Sequence, residues 1–495
     1  MKIILTILVL VVCVTTGHTN NVDVTNVTFG DKDVSLGTRI INFDVSWENS
    51  WRTSAAPANY DAAWVFVKFL TDDGNWEHAT LSGGAPGTVS TTVEPSADGV
   101  GAFVYRSENG FGDVMHADIE LEWDYRADGV ADYSIMTVEV YAIEMVYVPE
   151  GSFYLGSEGN SALEFYTSST LLPLDRSPYE VSSEEAIRIG TLNGDLNFVG
   201  AEIAGNLFGT LAADYPKGYG AFYCMKYETS QQQYVKFFNT VSESQKSLLD
   251  LAGLGTLCGE LAAFRNSFCW DGTNEAVTSN PYVPITFLSS LQMMAYLDWT
   301  GLRPMTELEY EKACRGTRYP VANEYAWGTA TINTTKYEVS DAGSSSETIE
   351  NYGELSELSG NGLYLGNALE ISMTPLDGPI RVGAFAAITG EATRLSSGGS
   401  YYGIMELSGN LSELVVTVGD PVGRAFTGVN GDGILSSSGM PDVAQWPLSG
   451  TGYGSRGGSF ALPSATLRVS CRALAATNFT ASELHGFRGV RTPSE

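Results

Sequence analysis

The sequence has few of the residues that most catalytic and nucleic-acid-binding sites require. It holds 4 histidines and 27 Lys+Arg residues against 58 Asp+Glu residues, for a net charge of -31 over 495 residues. Nucleic acids and anionic membranes attract clustered positive charge, so neither is expected as a partner. The histidines beyond the N-terminus are His78, His116 and His485, and none stands at metal-ligand spacing. A histidine-held metal centre and a serine-hydrolase triad therefore have no support.

Long apolar runs are also missing, except at the N-terminus. Lys2 precedes an apolar run over residues 3–12, which predicts a signal peptide over 1–19, with cleavage between about Gly17 and Asn20. Lipid attachment at Cys13 is the alternative, although Val12 stands where a small residue is expected. No later segment is apolar enough to span a bilayer. We expect a secreted protein that is extracellular, at the cell surface or periplasmic.

Cysteine is scarce, and five cysteines remain after the predicted cleavage. Cys258 and Cys269 bracket a short segment that contains Gly and Asn, and they are predicted to form a disulfide, which an oxidising compartment permits. The odd count leaves at least one thiol unpaired. Cys224 lies in an apolar strand-like run and Cys314 on the apolar face of a predicted helix, so we expect both to be core residues.

Residues 20–144 are predicted to form an all-β sandwich. Apolar and polar residues alternate over 41–47 and 119–125, as in strands with one buried face. The predicted inward-facing residues are Ile41, Phe43, Val45, Trp47, Ile119, Leu121, Trp123 and Tyr125. The tryptophans at 47, 51, 64 and 76 have two interpretations, a carbohydrate-binding platform or core residues, and strand positions favour the core.

Helix-capping patterns mark the helices of the C-terminal part. Ser/Thr followed three residues later by Glu/Gln is a capping box. The predicted cap pairs are Ser182 with Glu185, Thr229 with Gln232, Ser289 with Gln292, and Thr306 with Glu309. The carboxylates at 307, 309 and 311 suggest catalysis, but a cap and a solvated helix face explain them more simply.

Seven motifs in a fixed order give the C-terminal part a family resemblance. They are MVYVPEGSFYLG (145–156), FYCMKYET (222–229), PITF (284–287), RPMTELEYEKACRG (303–316), YAWG (325–328), GIMELSGN (403–410), and the closing stretch with RGGSF (456–460), LRVSCR (467–472) and GFRGVR (486–491). This series resembles the formylglycine-generating enzyme, or sulfatase-modifying-factor, family. The resemblance implies an α+β chain: the N-terminal sandwich followed by a loop-rich, C-type-lectin-like domain over 145–495. Segments near 157–220 and 417–455 are interpreted as insertions, the second as an exposed loop.

The resemblance also implies a chemistry that this sequence does not retain. The family's oxidase holds copper with two cysteines separated by four residues, because Cu(I) prefers sulfur ligands. Aligned on Gly457 and Arg468, the second cysteine corresponds to Cys471 and the first to Thr466. A hydroxyl cannot replace a thiolate as a soft ligand. Cys471 is thus the one matching family cysteine, and copper is not expected.

The resemblance also implies a calcium site, and more of its ligands are present in this sequence than of the copper ligands. The family binds Ca²⁺ through a Gly-Asn-x-x-Glu element, which here is 409–413. Asn410, the Leu411 carbonyl and Glu413 would supply the hard oxygen donors that Ca²⁺ prefers. The alternative is that Asn410 is a turn residue and Glu413 is solvated.

Two functions remain open on the sequence. The first is a secreted, non-catalytic protein that acts in binding or assembly at the cell surface, as a scaffold, adhesin-like or structural component. Its partner would be a protein or glycan of the cell envelope or extracellular matrix, or other copies of itself in a homo-oligomer or filament. The second is a copper-dependent formylglycine-generating oxidase or a related enzyme. Thr466 favours the first.

Overall fold

The computed structural model of the protein describes residues 22–134, 136–159, 161, 163–170, 176–198, 208–251, 263–367, 370–371, 374–375, 378–386, 393–475 and 479–493. The predicted signal peptide, including Cys13, and Cys258 lie outside the described residues. The fold is mixed, with many strands and five α-helices among the described residues.

Nine strands form the N-terminal layers. They are β1 (Asp23–Asp33), β2 (Thr38–Arg52), β3 (Asp61–Leu70), β4 (Trp76–His78), β5 (Leu81–Ala85), β6 (Thr91–Pro95), β7 (Ala102–Arg106), β8 (Gly110–Trp123) and β9 (Thr137–Val148). One four-stranded sheet has the order β1-β2-β8-β5. It faces a second sheet, and the alternating residues of β2 and β8 point between them. The predicted inward-facing residues, from Ile41 to Tyr125, are all buried there.

Strand β3 is buried on both faces because it lies in the middle layer of the molecule. Val65 and Val67 point toward β2 and β8, whereas Trp64 and Phe66 point the other way, into the largest apolar cluster. Successive side chains of a strand alternate between the two faces of a sheet, so one strand can serve two cores. Trp47 and Trp64 are core residues. This agrees with the interpretation that their strand positions favoured over a carbohydrate-binding platform.

The short strands that follow are β10 (Phe153–Leu155), β11 (Phe165–Thr167), β12 (Tyr179–Val181), β13 (Ile187–Ile189), β14 (Leu196–Phe198), β15 (Gly209–Leu211), β16 (Phe222–Met225), β17 (Arg303–Pro304), β18 (Val339–Ser340), β19 (Thr348–Ile349), β20 (Glu370–Ile371), β21 (Thr374–Pro375), β22 (Ser412–Val416), β23 (Tyr453–Arg456), β24 (His485–Gly486) and β25 (Gly489–Arg491). The helices are α1 (Gln231–Thr240), α2 (Glu243–Leu249), α3 (Ser290–Trp299), α4 (Glu307–Arg315) and α5 (Pro421–Arg424).

One eight-stranded sheet joins the N-terminal and C-terminal parts. Its order is β17-β25-β16-β9-β3-β7-β6, with β4 paired to β3. Strand β9 pairs with β3 along one edge and, through Met145 to Val148, with β16 along the other. The domain boundary predicted at 144/145 falls inside β9. A separate N-terminal sandwich stays a prediction, because one of its two sheets continues into the C-terminal part.

Capping boxes open the three longest helices. Ser289 with Gln292 caps α3, and Thr306 with Glu309 caps α4, as predicted. The prediction for α1 was wrong by one residue, since the box is Ser230 with Gln233.

The predicted helix start at Ser182 was also wrong. The chain there turns between β12 and β13, and the Glu184 carboxylate accepts hydrogen bonds from the amides of Lys217 and Gly220 (2.8 and 2.9 Å). These hydrogen bonds stabilise a loop and do not cap a helix. The described parts of 157–220 include a four-stranded sheet in the order β11-β14-β13-β15.

The segment 417–455 is not the exposed loop that its glycines predicted. Phe426, Val443 and Trp446 are buried in the largest apolar cluster. The Asp298 carboxylate at the end of α3 accepts hydrogen bonds from the backbone amides of Asp432 and Asp442 (3.2 and 3.1 Å). Buried aromatic residues and these bonds hold the segment against the helix.

Candidate functional site

The closing stretch begins with a tight turn at Gly457 and Gly458. Both glycines have positive φ, 89° and 65°. A Cβ on Gly458 would lie 2.6 Å from both Leu467 Cδ1 and Thr466 Oγ1. The turn therefore needs glycine for its backbone conformation and for the close approach of the two chain segments. Phe460, which follows the turn, is buried.

Thr466 and Cys471 lie at the far side of this turn. The Thr466 hydroxyl donates a hydrogen bond to the carbonyl of Pro463 (2.8 Å) within the short 3-10 helix Ser464–Leu467. Cys471 carries a free thiol and is 5% exposed, and its amide donates to the Arg468 carbonyl (3.0 Å). The donors at these two positions are a hydroxyl and a buried thiol, which do not fit the two-thiolate copper site of the family.

The other described free cysteines do not supply the missing ligand. Cys224 and Cys314 are fully buried in an apolar cluster with Val146 and Tyr310. Burial raises the pKa of the Cys314 thiol to about 12, and it raises the pKa of Cys224 as well. Both are core residues without thiolate character. Cys269 is disulfide-bonded. Because Cys258 lies outside the described residues, their pairing stays a prediction.

The carboxylates of helix α4 are buried, which corrects the predicted solvated face. Glu307 pairs with Arg456 (2.9 Å) and Arg472 (2.8 Å), and Glu311 pairs with Arg456 (2.6 Å). Burial alone would raise the pKa of Glu307, but the guanidinium groups of Arg472 and Arg456 outweigh it and lower that pKa. Glu309, besides closing the cap, pairs with Arg303 (2.6 Å). These paired charges are structural, and they join α4 to the closing stretch.

The predicted calcium ligands have protein partners in this structure. Both Glu413 carboxylate oxygens accept hydrogen bonds from the Arg488 guanidinium (2.5 and 2.6 Å). The Asn410 side-chain oxygen accepts from the Ile380 amide (2.9 Å), and the Asn410 carbonyl accepts from the Phe460 amide (2.9 Å). A cation therefore already faces Glu413. The side-chain oxygens of Asn410 and Glu413 are thus paired with protein donors, which does not favour a calcium ion at this place. Calcium binding by Asn410, Leu411 and Glu413 stays a prediction.

Two further carboxylates, Glu228 and Glu406, lie in the same buried cluster. Glu228 accepts hydrogen bonds from the Asn410 side-chain amide (2.6 Å) and the Leu411 backbone amide (2.9 Å). Burial raises the pKa of Glu406 to about 7, and its Oε2 has no hydrogen-bond partner among the described residues. The sequence did not indicate this cluster. Both residues stand inside family motifs, but their distance along the chain gave no signal that they converge.

The site thus combines a two-glycine turn, a cysteine near it, and helix carboxylates that pair with arginines of the closing stretch. The family model described as sulfatase-modifying factor enzyme 1-like domain matches residues 134–493. The chain belongs to this family, as its motifs predicted. The match begins before β9 and so includes the strand that joins the two parts. No curated protein matches the chain.

The described helices do not include a membrane span. None of them combines the length and the apolar composition that crossing a bilayer requires.

Proposed function

We propose that this protein is a secreted, non-catalytic member of its family that acts in binding or assembly at the cell surface. The observation that carries the proposal is the chemistry of the closing stretch. Matching the motifs on Gly457 and Arg468 assigns Thr466 to the position of the family's first catalytic cysteine, and the Thr466 hydroxyl donates a hydrogen bond to the Pro463 carbonyl. The matching thiol, Cys471, is buried. The alternative, a copper-dependent oxidase, is supported by family membership alone.

The partner in this proposal is a protein or glycan outside the cell, or further copies of the chain. The net charge of -31 favours solubility and disfavours anionic partners. The N-terminal strands support a binding role because they add a broad sheet layer beyond the family domain. Size-exclusion chromatography and electron microscopy of the mature protein at high concentration test whether it assembles. A strict monomer that binds no envelope partner would count against a role in assembly.

A Cu(I) titration under reducing conditions tests the non-catalytic assignment. The wild-type protein is expected to show no tight Cu(I) binding, because one thiol cannot form a two-coordinate sulfur site. Thr466→Cys serves as the matched gain-of-function variant, since it gives two cysteines separated by four residues, and it is expected to bind Cu(I) more tightly. Tight wild-type binding that is lost in Cys471→Ser would establish the oxidase alternative instead.

A further inference from the structure

A cleft lies between the N-terminal strands and helices α1 and α3. Its volume is about 540 Å³, within the range of about 300–1,000 Å³ that is usual for ligand pockets. The lining residues come from β1, β3, β9, α1 and α3 and from four positions outside these elements, Val22, Ser230, Tyr282 and Ser345. No predicted site residue, including Thr466, Cys471, Asn410 and Glu413, lines it.

Aromatic rings form one wall of the cleft. Phe66 and Tyr141 are stacked, with ring centroids 5.3 Å apart and an angle of 14° between their planes. Trp299 packs edge-on against both rings, at 5.2 and 5.0 Å. This wall combines strands of the N-terminal layer with helix α3, so it exists only where the two parts of the chain meet.

Several polar atoms along the cleft have no hydrogen-bond partner among the described residues. Tyr296 and Trp299 are largely buried, and neither the Tyr296 hydroxyl nor the Trp299 indole N–H has a hydrogen-bond partner among the described residues. Both residues line the cleft, so a ligand there could pair with these groups. The Gln232 amide and the Lys236 ammonium on α1 are likewise unbonded, whereas Gln233 is used by the helix cap. The cleft thus offers unused donors and acceptors beside an aromatic wall.

We propose that this cleft binds a neutral oligosaccharide. Sugar rings present C–H faces that pack on aromatic rings and hydroxyl groups that pair with amide, indole and phenol groups, which are the groups found here. Lys236 and Asp23 are the charged residues of the lining. Their opposite charges give the cleft no net charge, which favours a neutral ligand over an acidic one. The proposal rests on the proposed binding function and names its ligand class.

Isothermal titration of the full mature chain with cellohexaose, maltohexaose, xylohexaose and chitohexaose tests the proposal. At least one oligosaccharide is expected to bind. Tyr296→Phe removes only the hydroxyl, and Gln232→Ala removes an amide from the helix surface. Each is expected to weaken binding fivefold or more, which corresponds to about 1 kcal/mol.

Tyr453→Phe is the matched control. Tyr453 is also buried with an unbonded hydroxyl, but it does not line the cleft, so its variant should bind as wild type does. The absence of binding by all four oligosaccharides at 10 mM, or binding that Tyr296→Phe and Gln232→Ala leave unchanged while both remain folded, would overturn the proposal. The Cu(I) titration measures binding at Cys471 and does not depend on this cleft. Failure of the non-catalytic assignment can therefore be distinguished from failure of the oligosaccharide proposal.

Discussion

At the scale of the residue, Glu406 is an ionisable group whose surroundings in the fold differ strongly from water. It is 6% exposed and has a positive φ of 56°. One carboxylate oxygen accepts a hydrogen bond from the Gly383 amide (3.0 Å). Burial raises its pKa, and the nearby Arg488 opposes this only in part, so the pKa is about 7. The buried cluster therefore contains more acid than its arginine neutralises.

Glu406 predicts a pH-dependent contribution to stability. The folded protein binds this proton more tightly than the unfolded chain, whose Glu pKa is near 4.5. The contribution is thus fully present below about pH 4.5 and is lost as the pH rises through about 7. Glu406→Gln removes the titration, so its free energy of unfolding relative to wild type should increase from pH 5 to pH 8, by up to about 3 kcal/mol. Urea denaturation at both pH values measures this.

Glu120→Gln is the control for that experiment, because Glu120 is an exposed glutamate of strand β8. It should show no such difference between the two pH values. A Glu406→Gln variant whose effect is the same at pH 5 and pH 8 would mean that Glu406 keeps an ordinary pKa in the folded protein.

At the scale of the element, the Gly457–Gly458 turn is the local structure on which the closing stretch depends. Strand β23 ends at Arg456, which pairs with helix α4, and the turn then brings the chain back against Leu467. The turn therefore determines where Thr466 lies relative to the rest of the site.

Two glycine substitutions separate the cost of backbone conformation from the cost of crowding. Gly450 and Gly458 both have positive φ, 78° and 65°, but a Cβ on Gly450 would meet nothing within 4 Å. Gly450→Ala should lower the free energy of unfolding by about 1–2 kcal/mol, the cost of a left-handed backbone. Gly458→Ala should lower it by a further ~1–3 kcal/mol, because the methyl group overlaps Leu467 and Thr466. Urea denaturation compares the two, and equal losses would contradict the crowding.

At the scale of the whole molecule, the eight-stranded sheet makes the N-terminal layers and the family domain depend on each other. Lys226, which follows β16, is buried and pairs with Glu144 of β9 (2.5 Å), and it lies 4.0 Å from Asp61 of β3. Trp64 of β3 donates a hydrogen bond to the Thr300 carbonyl after α3 (2.8 Å). Removing either part would expose the apolar face of β3 and leave these buried charges unpaired.

We therefore expect one cooperative unfolding transition for the mature chain. In differential scanning calorimetry the calorimetric and van't Hoff enthalpies should agree. Val67→Ala, on the N-terminal face of β3, and Leu297→Ala, on α3, should both lower the same transition temperature, because each leaves a cavity in one of the two cores that β3 joins. Two separate transitions, each sensitive to one of these variants, would show that the two parts unfold independently.

The sequence by itself determined the features that depend on neighbouring residues. The alternation over 41–47 predicted a strand with one buried face, because side chains of a strand alternate at each residue. The caps of α3 and α4 were predictable because a capping box is complete within four residues. The family motifs, read in order, predicted the family.

Only the tertiary structure decided what depends on distant residues. The run Thr229-Ser230-Gln231-Gln232-Gln233 allows two cap registers, and Ser230 caps the helix because the Thr229 amide is bonded to the Phe487 carbonyl (2.9 Å). From the sequence the carboxylates of α4 are predicted to be solvated, but in the structure they pair with Arg456 and Arg472 of the closing stretch. The sequence likewise predicts Glu413 as a calcium ligand, whereas in the structure it pairs with Arg488. Burial and ion pairing depend on contacts between residues that are far apart in sequence. A local sequence pattern does not show which of these residues are in contact.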